Sequence, residues 1–337
     1  MRICVIGDLH WRSDLPYSSM FEDGRRAEWD RMIEFIVEYS QSCDMVVLLG
    51  DNLNSRNNTS LVLREFVGFL KKLKTPACIL VGNHERTGNV TALDFLEKLD
   101  IPGIKVYTSI ENLNLDGVKM SFLPFLTPAL VGAESNEEGV KKVLEQLEDG
   151  DILFAHHAVT GATTGTGMSV DFFNEIVLPA KEVRKRYTQT FAGHIHNPSE
   201  QKGIVMTGNS FTSEVGEHER FVYSYDTETK TVDKAKLPIK GIYKVVFDGK
   251  NKKKDIPKDA IVKCVVNNKD VSVEKARSFV EGYASGMIVE DYRDERQKVH
   301  FEDGALDLSI DNLLKIYAES RNVDYNVLRE GYELIRK

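Results

Sequence analysis

The chain has 337 residues, 42% hydrophobic and 28% charged, which is enough for one large domain or two smaller ones with ample core. No apolar run approaches the roughly 18–20 residues of a membrane span, and the opening MRICVIGD runs straight into a strand and leaves no room for a signal peptide. A net charge of −8 argues against a protein that simply coats DNA, but it leaves a nuclease open, because total charge hides its local distribution.

The first predicted strand, residues 2–7, delivers Asp8 and His10. Alternate residues of an extended chain point the same way, so these two can converge on one ion. A helix is predicted over residues 25–43, with Trp29, Met32, Ile33, Ile36 and Val37 spaced as a core-facing stripe. Residues 45–49 are apolar throughout and read as a strand buried on both faces. Gly50 ends that strand and sets Asp51 at its C-terminal mouth, the place where open α/β sheets bind ligands. A second amphipathic helix covers residues 61–73, and the strand at 77–81 delivers Gly82, Asn83, His84 and Glu85. Asn89 or Thr91 is expected to cap a third helix that ends near Leu99.

Short strands at 104–107, 112–115 and 119–124 then suggest an antiparallel meander and a second sheet packed on the first. A helix at 136–147 leads to a strand at 151–155 and to His156 and His157. The strand at 188–192 delivers Gly193, His194 and His196, and strands at 203–207 and 220–225 follow. Beyond a boundary near 238–241 lies a β-β-α-β piece: strands at 243–247 and 260–266, a helix at 273–284 and a strand near 287–292. The last stretch reads as two helices, the first with Ile310, Leu313, Leu314 and Tyr317, the second with Val327, Leu328, Leu334 and Ile335. Eleven lysines stand against four aspartates between residues 230 and 263, a run that either tracks phosphates or forms a solvated face. The four cysteines are widely separated and mostly lie inside apolar runs, which favours buried thiols in a reducing cytosol over zinc ligands or disulfides.

Six of the eight histidines (His10, His84, His156, His157, His194 and His196) fall at strand exits, together with Asp8, Asp51 and Asn83. One such histidine is usually a satisfied core residue, but that account does not cover six of them. Mixed imidazole and oxygen donors suit Mn²⁺, Fe²⁺ or Zn²⁺, and the lack of thiolates disfavours a structural zinc site.

Asp8-x-His10, Gly50-Asp51, Gly82-Asn83-His84-Glu85, His156 and Gly193-His194-x-His196 resemble, in order, the five motifs of calcineurin-like metallophosphoesterases. The resemblance implies a two-sheet α/β sandwich flanked by helices, with a dinuclear centre at the strand ends. Asp8, His10, Asp51 and His196 would hold one metal, and Asp51, Asn83, His156 and His194 the other, with Asp51 bridging. Two divalent ions roughly 3.5–4 Å apart can acidify a shared water and clamp the attacking and leaving oxygens. His84 would contact the scissile phosphate and assist the leaving oxygen. Glu85 would either orient His84 or form a surface salt bridge. His157 is either a support or solvent-facing, and spacing alone does not decide between it and His156 as the ligand. Asn54 stands where the second motif often has Asp, outside the expected ligand set. The stretch GDNLNSRN argues against a protein phosphatase.

The layout further resembles the nuclease subunit of double-strand-break repair complexes, the SbcD or Mre-eleven family, including phage recombination endonucleases. The stretch IVMTGNSFTSEVGE after the last histidine adds to that likeness. It implies a nuclease domain at 1–238, a small α+β cap at 239–304 and a helical tail at 305–337 that docks on the coiled coil of an SMC-like ATPase or folds back on the cap. It also implies Mn²⁺ as the favoured metal, DNA as substrate, a homodimer, no membrane, and a bacterial or phage-infected cytosol. A small-molecule phosphodiesterase is the alternative. A non-catalytic scaffold has no need to keep six histidines together.

Overall fold

Strand β1 (Arg2–Ile6) leads through helix α1 (Arg26–Ser40) to β2 (Met45–Leu48), and α2 (Ser60–Lys72) leads on to β3 (Ala77–Leu80). The computed structural model describes residues 1–165, 167–249, 256–266, 270–290, 314–315, 318 and 324–329. A short hairpin of β4 (Arg86–Thr87) and β5 (Val90–Thr91), then α3 (Asp94–Leu99), precede β6 (Ile104–Tyr107). β1, β2, β3 and β6 pair in parallel, so their C-terminal ends share one edge. The stripe on α1 buries Trp29, Met32, Ile33 and Ile36 as its spacing requires. Neither Asn89 nor Thr91 caps α3. Leu93 holds the N-cap position, because Thr91 is drawn into the hairpin beside Arg86.

The second sheet is built from β7 (Glu111–Leu115), β8 (Val118–Leu123), β9 (Gly150–Ala155), β10 (Tyr187–Ala192), β11 (Ser199–Gln201) and β12 (Ile204–Met206). Helices α4 (Asn136–Gln146) and α5 (Ala180–Arg186) carry its crossovers. The expected meander is corrected here. The 104–107 strand is the parallel edge of the first sheet, and in the second sheet only the edge strands β7 and β11 pair antiparallel. A short buried apolar run looks the same whichever way its neighbour points, so direction was not legible from it. β13 (Phe221–Asp226) and β14 (Thr231–Lys236) return to the first sheet, β13 antiparallel to β1, giving the order β14-β13-β1-β2-β3-β6.

Side-chain alternation makes the layers. Ile3, Val5 and Val47 face Phe122, Phe154 and Phe191 between the sheets, where Tyr107 stacks on Phe122 at 4.3 Å. Cys4, Ile6 and Val46 point the other way, onto the apolar faces of α1 and α2. Leu153 and Ala155 pack likewise with Val143 and Val183 of α4 and α5. The result is a helix–sheet–sheet–helix sandwich, an α/β fold of the expected class.

Three further strands, β15 (Ile242–Val246), β16 (Ile261–Val266) and β17 (Ser285–Glu290), form a separate parallel sheet with α6 (Val273–Val280) on it. Phe247, Val262, Cys264, Ala276 and Phe279 give it a core of its own. Of the two expected terminal stripes, Ile310, Leu313, Tyr317, Leu334 and Ile335 lie outside the described residues. Leu314 and residues 325–329 are helical, and Val327 is 63% exposed. All four cysteines are free.

Candidate metal centre

The chain leaves β1, β2, β3, β9 and β10 into loops that bring Asp8, His10, Asp51, Asn83, His156, His194 and His196 together. Tight turns make this possible. His10, Asp51 and His194 have φ of 49°, 46° and 78°, a left-handed backbone that non-glycine residues rarely adopt. Gly50, at φ 106°, lies where a Cβ would run into the His156 ring, and a Cβ on Gly82 would overlap the Asp51 carboxylate. Glycine is required at both positions by close approach.

Three donor groups form: Asp8 with His10 and His196, Asp51 with His156 and His194, and Asp51 with His10 and His84. Asp51 thus belongs to both sides. Its Oδ2 lies 3.4 Å from His156 Nε2 and 3.9 Å from His10 Nε2.

The free ring nitrogens are fixed by what holds the others. His156 Nδ1 donates to the Leu49 carbonyl at 2.6 Å, which turns Nε2 toward Asn83 Oδ1 at 3.1 Å. His194 Nε2 donates to Glu175 at 2.8 Å, which leaves Nδ1 facing Asn83 Oδ1 at 2.9 Å. His196 Nδ1 faces Glu217 at 3.5 Å, and its Nε2 meets His10 Nε2 at 3.0 Å. In the neutral rings these atoms are lone-pair acceptors, and so is the Asn83 amide oxygen. Acceptors converging at about 3 Å repel one another unless a cation or a proton lies among them. The donor set therefore fits a metal ion.

Charge makes the same demand. Asp8 and Asp51 are 0% and 1% exposed, and two carboxylates buried together need compensation. Burial raises the Asp8 pKa, with the Asp51 charge adding to it. Burial works against a charged Asp51 too, but His156, His10 and His84 outweigh it and hold that carboxyl low. Burial likewise disfavours a charged His156, yet Asp51 and Asp8 push it up to about 9. Burial, which the Asp51 charge does not offset, takes His10 down to about 3.

His84 stands at the rim. Its Nδ1 donates to the Asn54 carbonyl at 2.9 Å, and its Nε2 is 3.9 Å from Asp51 Oδ2. The Asn54 side chain accepts from Arg12 at 3.2 Å and takes no place among the donors. Glu85 neither orients His84 nor reaches the surface. It is 0% exposed and accepts the backbone N–H groups of Leu53 and Gly82, each at 2.8 Å, tying two site loops together. The reason is that a side chain adjacent in sequence can point the opposite way. Burial and the Asp51 charge raise Glu85 to about 7. His157 is fully buried and spends both nitrogens on backbone, donating to the Ile176 carbonyl and accepting from Leu126 N–H, each at 3.1 Å. It belongs to none of the donor groups. Sequence reasoning missed Glu175 and Glu217. The first lies in a loop without a motif, while the second ends the IVMTGNSFTSEVGE stretch, whose acid was the available signal.

A family model described as calcineurin-like phosphoesterase matches residues 1–198. A curated relative, Exonuclease subunit 1 of Enterobacteria phage T4, is 24% identical over 226 residues, which is 61% of this chain and 62% of that protein. The match therefore spans less than two-thirds of that relative's length. Among solved structures, a novel archaeal phosphodiesterase is 12% identical, covering 70% of this chain and 100% of that one, with a TM-score of 0.36. A dimetal phosphatase from Danio rerio is also 12% identical, covering 66% and 91% at a TM-score of 0.39. With the family model matched from the first strand to just past His196, the chain belongs to the calcineurin-like phosphoesterases.

Proposed function

We propose that the chain is a metal-dependent DNA nuclease, the phosphodiester-cleaving subunit of a repair and recombination complex. The observation that carries the phosphodiesterase reading is the convergence of imidazole and carboxylate lone pairs at the strand ends, with His84 at their rim and its Nδ1 bonded to the Asn54 carbonyl. Asp8, His10, Asp51 and His196 would hold one divalent ion, and Asp51, Asn83, His156 and His194 a second; the donor types suit Mn²⁺, Fe²⁺ or Zn²⁺, and the resemblance to the nuclease family favours Mn²⁺. Such ions acidify water and clamp the oxygens of an in-line displacement. His84, its Nδ1–H committed to Asn54, presents Nε2 to the phosphate, and a proton carried on that nitrogen would pass to the leaving oxygen as the bond to phosphorus breaks. Its position at the rim, where the side chain is more exposed than the other donors, suits that role.

The step from phosphodiesterase to DNA is supported by the phage exonuclease relative and by the order of parts. In this reading residues 1–238 are the nuclease, 239–304 cap it, and 305–337 dock on an SMC-like ATPase. The protein would act as a homodimer in the cytosol. Among the described residues no helix is long and apolar enough to cross a membrane.

One observation favours a small-molecule phosphodiesterase instead. Lys234, Lys236 and Lys240 of the basic run are paired with Glu200, Glu219 and Glu28 at 2.6, 2.8 and 3.5 Å, which offsets part of the positive charge a strand would follow. Incubation with Mn²⁺ and linear, circular single-stranded and hairpin DNA, beside bis(p-nitrophenyl) phosphate, decides. Cleavage of DNA supports the nuclease. Hydrolysis of the small ester alone moves the reading to the small-molecule class, and no hydrolysis with Mn²⁺ ends both.

A further inference from the structure

Residues 212–218, which follow β12, run against residues 240–243, where the chain enters β15. Contacts along the whole length tie the two segments together. The Thr212 hydroxyl donates to the Lys240 carbonyl at 2.7 Å. Gly216 N–H donates to the Ile242 carbonyl at 2.9 Å, and Ile242 N–H donates to the Glu217 carbonyl at 2.7 Å. His218 stacks on Tyr243 with ring centroids 4.1 Å apart and planes 9° from parallel. The separate sheet of β15, β16 and β17 is thus seated on the turn that carries Glu217.

Glu217 cannot move independently of that turn. It is 3% exposed, and its Oε2 accepts the Ser213 and Glu214 N–H groups at 2.6 and 3.1 Å. The Asn209 amide reaches both carboxylate oxygens, at 3.0 and 3.1 Å, and the buried Arg220 guanidinium lies 3.4 Å from Oε1. That same Oε1 faces His196 Nδ1 at 3.5 Å. A carboxylate fixed in its own turn passes a backbone shift on to the ring it holds, because a packed interior yields little. The other side of the centre has no such tie. Glu175, which holds His194, stands beside Ile176, whose carbonyl accepts from His157, and near Leu178, whose N–H donates to the Ala158 carbonyl, all within the sandwich itself.

We propose that Glu217 is a positioning residue through which the seating of the β15–β17 sheet sets metal affinity at Asp8, His10 and His196, resting on the reading of the centre as a metal site. The Asn83 side is left untouched. A contact that only added stability would not discriminate between the two sides. By linkage the effect runs both ways, so whatever factor seating adds to ion affinity, the ion adds to seating.

Two measurements on the full-length chain test it. Tyr243→Ala removes the stack without touching the centre, and titration with Mn²⁺ should show one of the two sites weakened roughly two- to tenfold, the range one aromatic pair can carry. Tyr243→Phe, which keeps a ring against His218, should bind as the native chain does. Adding Glu175→Ala to Tyr243→Ala should weaken the second site as well; further loss at the already weakened site instead puts both effects on one ion and overturns the assignment. Hydrogen exchange in the native chain gives a readout that needs no variant to fold. Mn²⁺ should slow the Ile242 amide and leave the Phe247 amide, which donates to Val265 within the separate sheet, unchanged. Native Mn²⁺ affinity at both sites of Tyr243→Ala, or an Ile242 amide slowed no more than that of Phe247, overturns the coupling and leaves the metal reading standing. A native chain that binds no Mn²⁺ overturns the metal reading, and the coupling with it.

Discussion

Replacing Glu175 by alanine should weaken metal binding on the Asn83 side of the centre. Glu175 accepts the Nε2–H of His194 at 2.8 Å, and that bond keeps Nδ1 unprotonated and facing Asn83 and Asp51. Without the carboxylate, the His194 ring can turn, and either nitrogen can carry the proton. Groups that hold a ligand's second nitrogen are worth 10–100-fold in metal affinity. The Glu175 side chain is 20% exposed, so water replaces part of its effect, and the lower end of that range, about tenfold or ~1.4 kcal/mol, is expected. Glu175→Gln, which keeps an acceptor oxygen but not the charge, should lose less. Titration with Mn²⁺ should show two sites in the native chain, with one weakened in the alanine variant. Two sites of unchanged affinity in Glu175→Ala would refute the claim that this carboxylate sets the His194 tautomer.

Asp51→Asn should weaken both sites, because its carboxylate belongs to two of the three donor groups, one with His10 and one with His156 and His194; a variant that retains two ions per chain after dialysis removes the bridging role. His84→Gln should keep its metals yet lose roughly 10²–10⁴-fold in turnover, and metal loss in that variant would show His84 to be a ligand instead. Asn54→Asp should leave turnover within about threefold, since His84 is held by the backbone carbonyl and the new carboxylate still accepts from Arg12. The Arg25–Glu28 pair predicts acid sensitivity. Burial works against a charged Glu28, but Arg25 outweighs it and lowers the folded-state pKa, so the stabilisation is complete above the unfolded value of about 4.3 and is lost as pH falls through the folded one. Glu28→Gln should cost about 3–5 kcal/mol near neutral pH, with the gap to the native chain closing in acid; thermal melts at pH 7 and pH 3 that differ by a constant amount exclude the pair.

The parts of the centre legible in the sequence were those that follow directly from a strand. Residues 2–6, 45–48, 77–80 and 150–155 are largely apolar runs whose next polar residues must emerge at a sheet edge, and Asp8, Asp51, Asn83 and His156 do so; His194 leaves the more mixed strand at 187–192 in the same way. Supports that reach the centre from loops gave no such signal. Glu175 lies 19 residues before the histidine it holds and Glu217 comes from beyond β12, and nothing in local pattern links such positions. Glu85 misled for the opposite reason, since contact with His84 was inferred from adjacency while its carboxylate serves Leu53 and Gly82. The direction of the second sheet's strands was illegible because both pairings bury the same residues.

The backbone of the centre bears on what holds it together. His10, Asp51 and His194 all sit at positive φ, and such residues cost of order 1–3 kcal/mol each. Together that is a sizeable share of the ~5–15 kcal/mol by which a domain is usually stable. The conformations persist because backbone bonds over-determine them. His10 N–H donates to the Asp51 carbonyl at 2.8 Å, Trp11 N–H to the Asn52 carbonyl at 2.8 Å, and His194 N–H to the Asp8 carboxylate at 3.0 Å. These bonds cross-link the exits of β1, β2 and β10 without using the ring nitrogens that face the cluster. The scaffold therefore presets the donors, and metal binding need not fold the loops. Removal of metal should accordingly abolish hydrolysis while leaving the far-ultraviolet dichroism and the cooperativity of unfolding in place. Had the ions been what ordered the loops, chelation would melt the strand exits along with the activity.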